Sequence, residues 1–101
     1  RVRYTVRISR RALHEIGEID AFLREGNPAF ADRWLAGLFK VIATLNTLPN
    51  RGRIAPESPQ DGHVVRQVLH RQYRVFYVVY PDGEVLITHV QHSALAAPYD
   101  E

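Results

Sequence analysis

Two amphipathic helical patterns follow each other with only a short link between them, and this spacing limits the folds open to the chain. After Pro28 a second apolar stripe of helical period runs to about Thr47. Gly26 is typical of a helix end, and Asn27 followed by Pro28 is typical of a helix start. A link of about two residues predicts an antiparallel helical hairpin. The first stripe consists of Ala12, Leu13, Ile16, Ile19, Phe22 and Leu23.

Strand-like segments stand on both sides of this hairpin. Residues 2–8 alternate between apolar and polar side chains, as a half-buried strand does. Residues 63–70, 73–80 and 84–92 are rich in β-branched and aromatic side chains and predict three more strands. Pro81-Asp82-Gly83 predicts a tight turn between the last two, whereas residues 49–63 read as a loop.

The predicted fold is therefore α+β, with helices and sheet in two layers. We expect an N-terminal strand, an antiparallel helical hairpin and then a three-stranded antiparallel sheet, in one domain over residues 1–101. The neighbour of the first strand is left open. The chain has no cysteine, which excludes a disulfide framework, a thiol nucleophile and a thiolate metal site. No apolar run approaches the ~20 residues of a membrane span, so we expect a cytoplasmic protein.

Positive charge is unevenly spread along the chain, and residues 1–9 carry three arginines. Of the 13 basic residues only Lys40 is lysine. Residues 48–80 carry five arginines against Glu57 and Asp61, whereas residues 10–47 are balanced in charge. This predicts a basic sheet beside a neutral helical layer, suited to a polyanion or an acidic protein partner. The carboxylates Glu15, Glu18 and Asp20 are interpreted as ordinary surface charge.

The third strand has two faces of different character. We expect the uncharged side chains Tyr73, Val75, Tyr77 and Val79 to pack on the helices. The other face then carries Arg74, Phe76, Val78 and Tyr80. Such an apolar surface beside an arginine marks a binding site unless the tail or a loop covers it, and both alternatives stay open.

Catalytic and cofactor motifs are absent, and Gly17 and Gly37 inside the helices are interpreted as close-packing positions. His89 and His92 are three residues apart, so on a regular strand they face opposite sides and cannot share a metal. We therefore predict no metal and no cofactor. Arginines beside His or Tyr would suffice for metal-independent RNA cleavage, because Arg stabilises phosphate charge and His or Tyr moves protons. The same residues could equally bind a protein.

The sequence resembles the RelE/ParE superfamily of bacterial toxins from type II toxin–antitoxin modules, often described as plasmid stabilisation proteins. The resemblance lies in the order of ISRRALHEIGEIDAFL, NPAFADRWLAGLFKVIATLNTLPNRGR, VRQVL and YRVFYVVYPDGEVLITHVQH. It implies the strand–helix–helix–strands layout and a cognate antitoxin as protein partner. RelE-like members cut mRNA in the ribosome, whereas ParE-like members poison DNA gyrase. The long hairpin and LPNRGR favour the ParE-like branch.

The resemblance also assigns candidate residues. Arg66, Arg74 and His92 match family-pattern positions and would be catalytic in an mRNA endoribonuclease. Residues 93–97, SALAA, stand where many members carry arginine, and this favours binding over cleavage. Gyrase is thus the favoured target, the ribosome with its mRNA the alternative, and a degenerate member that binds only antitoxin the third possibility. Residues expected to bind target or antitoxin are Arg66, Arg71, Arg74, Phe76 and Tyr80.

Overall fold

Two helices cover one face of a five-stranded sheet in the computed structural model, which describes residues 3–56, 58, 64–96 and 98. The helices are α1 (Arg10–Gly26) and α2 (Pro28–Ala43), and a 3-10 turn (Thr44–Asn46) extends α2. The α+β expectation is confirmed. The strands are β1 (Thr5–Ile8), β2 (Arg53–Ile54), β3 (Arg66–His70), β4 (Tyr73–Val79) and β5 (Glu84–His92).

The helical hairpin turns on a single residue. Asn27 ends α1 and also caps α2, where its Oδ1 accepts the Phe30 N–H at 3.0 Å. Next to this turn, the Arg24 guanidinium donates to both carboxylate oxygens of Asp20 and, at 2.9 Å, to Asp32 of α2. These two hydrogen-bonded carboxylates raise the pKa of Arg24 above its ordinary value. The Asn27 cap and the Arg24 guanidinium, which bonds to both helices, thus stabilise the link between α1 and α2.

The sheet has the order β1-β5-β4-β3-β2 and is mixed. β1 pairs in parallel with β5, from Thr5 opposite Glu84 to Ile8 opposite Ile87, and the other neighbours are antiparallel. The expected three-stranded sheet is thus extended on both sides, by β1 and by the short β2 inside the predicted loop. In β5 the register skips Thr88, because Phe76 lies opposite His89 while Tyr77 lies opposite Ile87. This bulge precedes His89, so His89 and His92 keep opposite faces, as predicted.

The main core lies between the helices and the sheet. Trp34 and Leu38 of α2 are fully buried against Val75 and Tyr77 of β4, which confirms the predicted inward face of that strand. Trp34 meets the Tyr73 ring edge-on, with 5.2 Å between the ring centroids. The other face of β4 is covered as well: Phe76 is fully buried in a second cluster with Ala55 and Val65. Of the two alternatives left open for this face, the covering loop is the one found.

The two helical glycines differ in their surroundings. A Cβ on Gly37 would lie 2.7 Å from Cε1 of His70, a buried ring whose Nε2 lies 3.0 Å from the Trp34 carbonyl oxygen. A Cβ on Gly17 would meet nothing within 4 Å. Gly37 is therefore a close-packing position as expected, whereas the same expectation for Gly17 is wrong.

This difference predicts opposite effects of one substitution. Gly17→Ala should stabilise the protein by about 0.5–1 kcal/mol, because alanine restricts the unfolded chain and favours the helix. Gly37→Ala should lower the free energy of unfolding by about 1–3 kcal/mol, because the methyl group displaces the His70 ring. Urea unfolding of the two variants and the parent measures both values. Equal stabilisation by both substitutions would show that His70 does not pack as described.

Candidate functional site

Arg66 fastens the segment between α2 and β3 to the sheet. Its Nη1 donates to the Gly52 carbonyl oxygen at 2.8 Å, and the Gly52 N–H donates to the Tyr77 hydroxyl at 2.9 Å. A Cβ on Gly52 would lie 2.5 Å from the Gln67 carbonyl oxygen, so only glycine fits here. These contacts explain why the segment LPNRGR, which contributed to the family resemblance, has glycine at position 52. Arg66 lies opposite Tyr77 in the ladder and so faces the helix side of the sheet.

Arg74 is buried on the opposite face. Its side chain is only 9% exposed, although we expected it on an open surface. Nη1 donates to Gln67 Oε1 at 3.2 Å and Nη2 donates to the Leu95 carbonyl oxygen at 3.3 Å. The guanidinium carbon lies 4.9 Å from the centroid of the Phe76 ring. The residues after β5 thus cover an arginine that would have to be accessible for catalysis or target binding.

His92 ends β5 and begins this cover. Its Nδ1 accepts the Ala94 N–H at 3.0 Å, and the Leu95 N–H donates to the His92 carbonyl oxygen. The imidazole meets the Tyr73 ring edge-on at 5.1 Å between centroids, and burial raises the pKa of Tyr73. The SALAA segment that stands in place of a basic tail therefore begins as a turn folded back against the sheet.

The three candidate catalytic residues are not brought together. Arg66 and His92 share the helix side, but they lie opposite Tyr77 and Tyr73, four residues apart on β4. That spacing alone is roughly 13 Å along the strand. Arg74 lies on the other face. Acid–base groups and charge-stabilising groups must reach one phosphate within hydrogen-bond distance, and this arrangement does not provide that geometry.

The residues expected to bind a partner are also divided. Phe76 is fully buried, so the expectation that it lies on an exposed binding surface is wrong for this conformation: the loop residues Ala55 and Val65 cover it. Arg71 is exposed at the β3–β4 turn, where its φ is 46° and its guanidinium carbon lies 5.8 Å from the Phe30 ring centroid. Tyr80 is half-buried just after β4. Binding by Arg71 and Tyr80 stays a prediction.

Glu15 has a role that the sequence pattern did not indicate. Its Oε1 accepts the Val90 N–H at 2.8 Å and its Oε2 lies 3.2 Å from His89 Nδ1. Because β1 ends at Ile8, no described strand lies beside the edge of β5 beyond Ile87, and α1 supplies this carboxylate instead. The reading of Glu15 as surface charge is therefore wrong. Only the pairing of β1 with β5, which the sequence leaves open, could have revealed the contact.

Beside this contact a groove of about 390 Å³ runs between α1 and the end of β5. Exposed Phe22 and Leu95 line it together with Tyr73 and His92. Across the described ranges, no three His, Cys, Asp or Glu residues are grouped so that they could hold a metal ion. Within the same part of the chain, no helix has the length and apolar character of a membrane span.

This fold, an α-helical hairpin on a mixed sheet, is shared with solved structures of toxin–antitoxin systems. The structure is similar to a chain of the chromosomal ParDE system from P. aeruginosa, with a TM-score of 0.72 and 15% sequence identity over 88% of this chain and 95% of that chain. It is also similar to a chain of a RelBE toxin–antitoxin complex from Mycobacterium tuberculosis, with a TM-score of 0.57 and 21% identity over 90% and 99% of the two chains.

The family model described as ParE toxin of type II toxin–antitoxin system, parDE, matches residues 6–95. The chain therefore belongs to the ParE toxin family, as the resemblance indicated. Among curated proteins, none matches the sequence significantly.

The burial of Tyr77 predicts an alkaline limit to stability. Burial raises the pKa of Tyr77 above its ordinary value of 10.0, against the lowering effects of the Gly52 N–H and of Arg66 and Arg51. Because the pKa is raised in the folded state, the stability that comes from burying the neutral Tyr77 phenol is complete below about pH 10. It is lost as the pH rises through the folded-state pKa. Tyr77→Phe should therefore flatten the loss of stability above pH 10, leaving the part due to Tyr73.

At neutral pH, Tyr77→Phe should lower the free energy of unfolding by about 1–3 kcal/mol, because the buried Gly52 N–H loses its acceptor. Urea unfolding at pH values from neutral to alkaline measures both effects. An unchanged alkaline slope in the variant would contradict the assignment.

The buried position of Arg74 predicts a structural defect on truncation. Arg74→Ala should lower the free energy of unfolding by roughly 1–3 kcal/mol, because Gln67 and Leu95 lose their donor and the space above Phe76 empties. Amide exchange at residues 93–95 should accelerate with it. Arg53→Ala, at an exposed arginine on the same face, is the matched control and should change stability by less than about 0.5 kcal/mol. Equal stability of the two variants would contradict the burial of Arg74.

Proposed function

We propose that this toxin arrests growth by binding an essential protein, DNA gyrase, and that it does not cut RNA. The observation that carries the proposal is the state of Arg74, which is buried and donates hydrogen bonds to Gln67 and Leu95. An arginine that stabilises a phosphate must reach that phosphate with free N–H donors. Arg66 is similarly engaged with the Gly52 carbonyl oxygen, on the other face of the sheet.

Gyrase is proposed as the target because the chain belongs to the ParE toxin family, whose model matches residues 6–95. The turn that begins after His92 supports action by binding in a second way. It replaces a basic tail by residues whose backbone is hydrogen-bonded to Gln72 and His92. A nuclease of this fold would need cationic side chains there to hold the RNA backbone.

We further propose a cognate antitoxin as the neutralising partner. The structures from P. aeruginosa and M. tuberculosis that this chain resembles are those of toxin–antitoxin systems. Large apolar side chains of α1 remain open for such a partner: Phe22 is 70% exposed and Leu13 is 51% exposed. Exposed apolar residues of this size in a small domain commonly mark protein interfaces.

The target is tested with two assays on the same purified toxin. We expect dose-dependent inhibition of gyrase supercoiling, and intact mRNA when the toxin is added to a translating extract. Heat-denatured toxin is the control for nonspecific inhibition. Codon-dependent mRNA cuts that disappear with His92→Ala would contradict the proposal and support the nuclease alternative. Failure to slow growth when expressed without antitoxin would contradict it in favour of a degenerate toxin.

A further inference from the structure

The described parts of β2, β3 and β4 and of their connections form a region rich in arginine. Over residues 44–80 there are five arginines and two carboxylates, Glu57 and Asp61, which leaves a net positive charge of three. Arg66 and Arg74 are buried or half-buried and held by internal hydrogen bonds. Arg53, which begins β2, and Arg51, which precedes it, are exposed, and Arg51 donates from Nη1 to Thr44 Oγ1 at 2.8 Å. These two cations give the outer edge of the sheet a positive potential that attracts acidic groups.

At this edge a stretch of β3 has no neighbouring strand in the described structure. β2 pairs with β3 through two residues only, Arg53 opposite Gln67 and Ile54 opposite Arg66. The hairpin register places His70 opposite Tyr73 across a two-residue turn, so His70 and Val68 form their backbone hydrogen bonds with β4. The N–H and C=O of Leu69 then point to the outer edge, just beyond the last residue that β2 covers.

The side chain beside these backbone groups is apolar and accessible. Leu69 is 62% exposed and lies on the same face of the sheet as Arg53. A groove of about 400 Å³ separates β3 from the chain that leads into β2. We call it the β3 edge groove, and it is lined by Arg51, Gly52, Arg53, Gln67, Val68 and Leu69.

We propose that the β3 edge groove binds an extended, acidic segment of a partner protein, which adds a strand to the sheet beside Leu69. Main-chain hydrogen bonds to Leu69 would supply affinity, and an apolar side chain of the segment would cover the Leu69 side chain. Carboxylates on the segment would pair with Arg51 and Arg53. The inference rests on the proposed function only in that the toxin acts by binding, and it does not require gyrase as the target.

Protein fits this groove better than nucleic acid. Single-stranded RNA is held by aromatic side chains on which its bases stack, together with basic groups. The β3 edge groove is lined by aliphatic and arginine side chains and contains no aromatic ring among its lining residues. An exposed strand edge is moreover a template for peptide backbone, which RNA cannot use.

The test is an NMR titration of the full chain with a short synthetic peptide that alternates valine with aspartate or glutamate. We expect saturable shifts centred on the amides of Gln67, Val68 and Leu69, and slower exchange of the Leu69 N–H. A peptide with lysine at each acidic position should bind at least about tenfold more weakly. N-methylation of the peptide amides that would face β3 should abolish binding, whereas methylation of the alternate amides should not.

A pair of charge-reversal variants locates the site. Arg53→Glu should weaken binding of the acidic peptide about tenfold. Arg11→Glu, an identical charge change at an exposed position of α1, should not weaken it beyond about twofold. Unchanged binding by Arg53→Glu, shifts centred beside His92, or equal binding of the lysine peptide would overturn the proposal. So would saturable binding of a short oligouridine, but not of the acidic peptide, at Leu69. Peptide binding is measured without gyrase. A negative result for peptide binding therefore does not bear on gyrase inhibition, and a negative result for gyrase inhibition does not bear on peptide binding.

Discussion

The hydrogen bonds of the buried Arg74 guanidinium hold the outer face of the sheet in its present form. They connect Gln67 of β3 and Leu95 of the tail to the central strand, above the ring of Phe76. A charged group this well shielded is tolerated only with partners, so the tail and the neighbouring strand must stay in place around it. The covered outer face, and with it the absence of an accessible arginine over β4, follows from this arrangement.

Because β4 is buried on both faces, the accessible surface of the protein is displaced to its margins. One face packs on Trp34 and Leu38, and the other lies under Ala55, Val65 and the tail. Among the described residues, the open surfaces include the flank of α1, the groove beside His92 and the edge of β3. The proposed function uses these surfaces for protein contact.

Much of the fold follows from local sequence patterns. The helix ends at Gly26 and Asn27 and the strand at residues 84–92 were predictable because caps and alternation are local signals. The pairing of β1 with β5 and the two-residue β2 were not, because they depend on contacts distant in sequence. The candidate site shows the same division. The alternation of side chains along β4 placed Arg74 on the face away from the helices. The cover by Leu95 and the hydrogen bond from the Val90 N–H to Glu15 are tertiary contacts, which alternation does not indicate.

The proposed function requires Arg74 to be a structural group and not a phosphate ligand. Nitrogen-15 NMR of the arginine side chains tests it most directly, with exposed Arg53 as the internal reference. We predict that the Arg74 guanidinium rotates slowly, exchanges its protons slowly with water and keeps its shifts when an RNA oligonucleotide is added. Fast rotation and exchange like those of Arg53, or a saturable RNA-dependent shift at Arg74, would contradict this structural role.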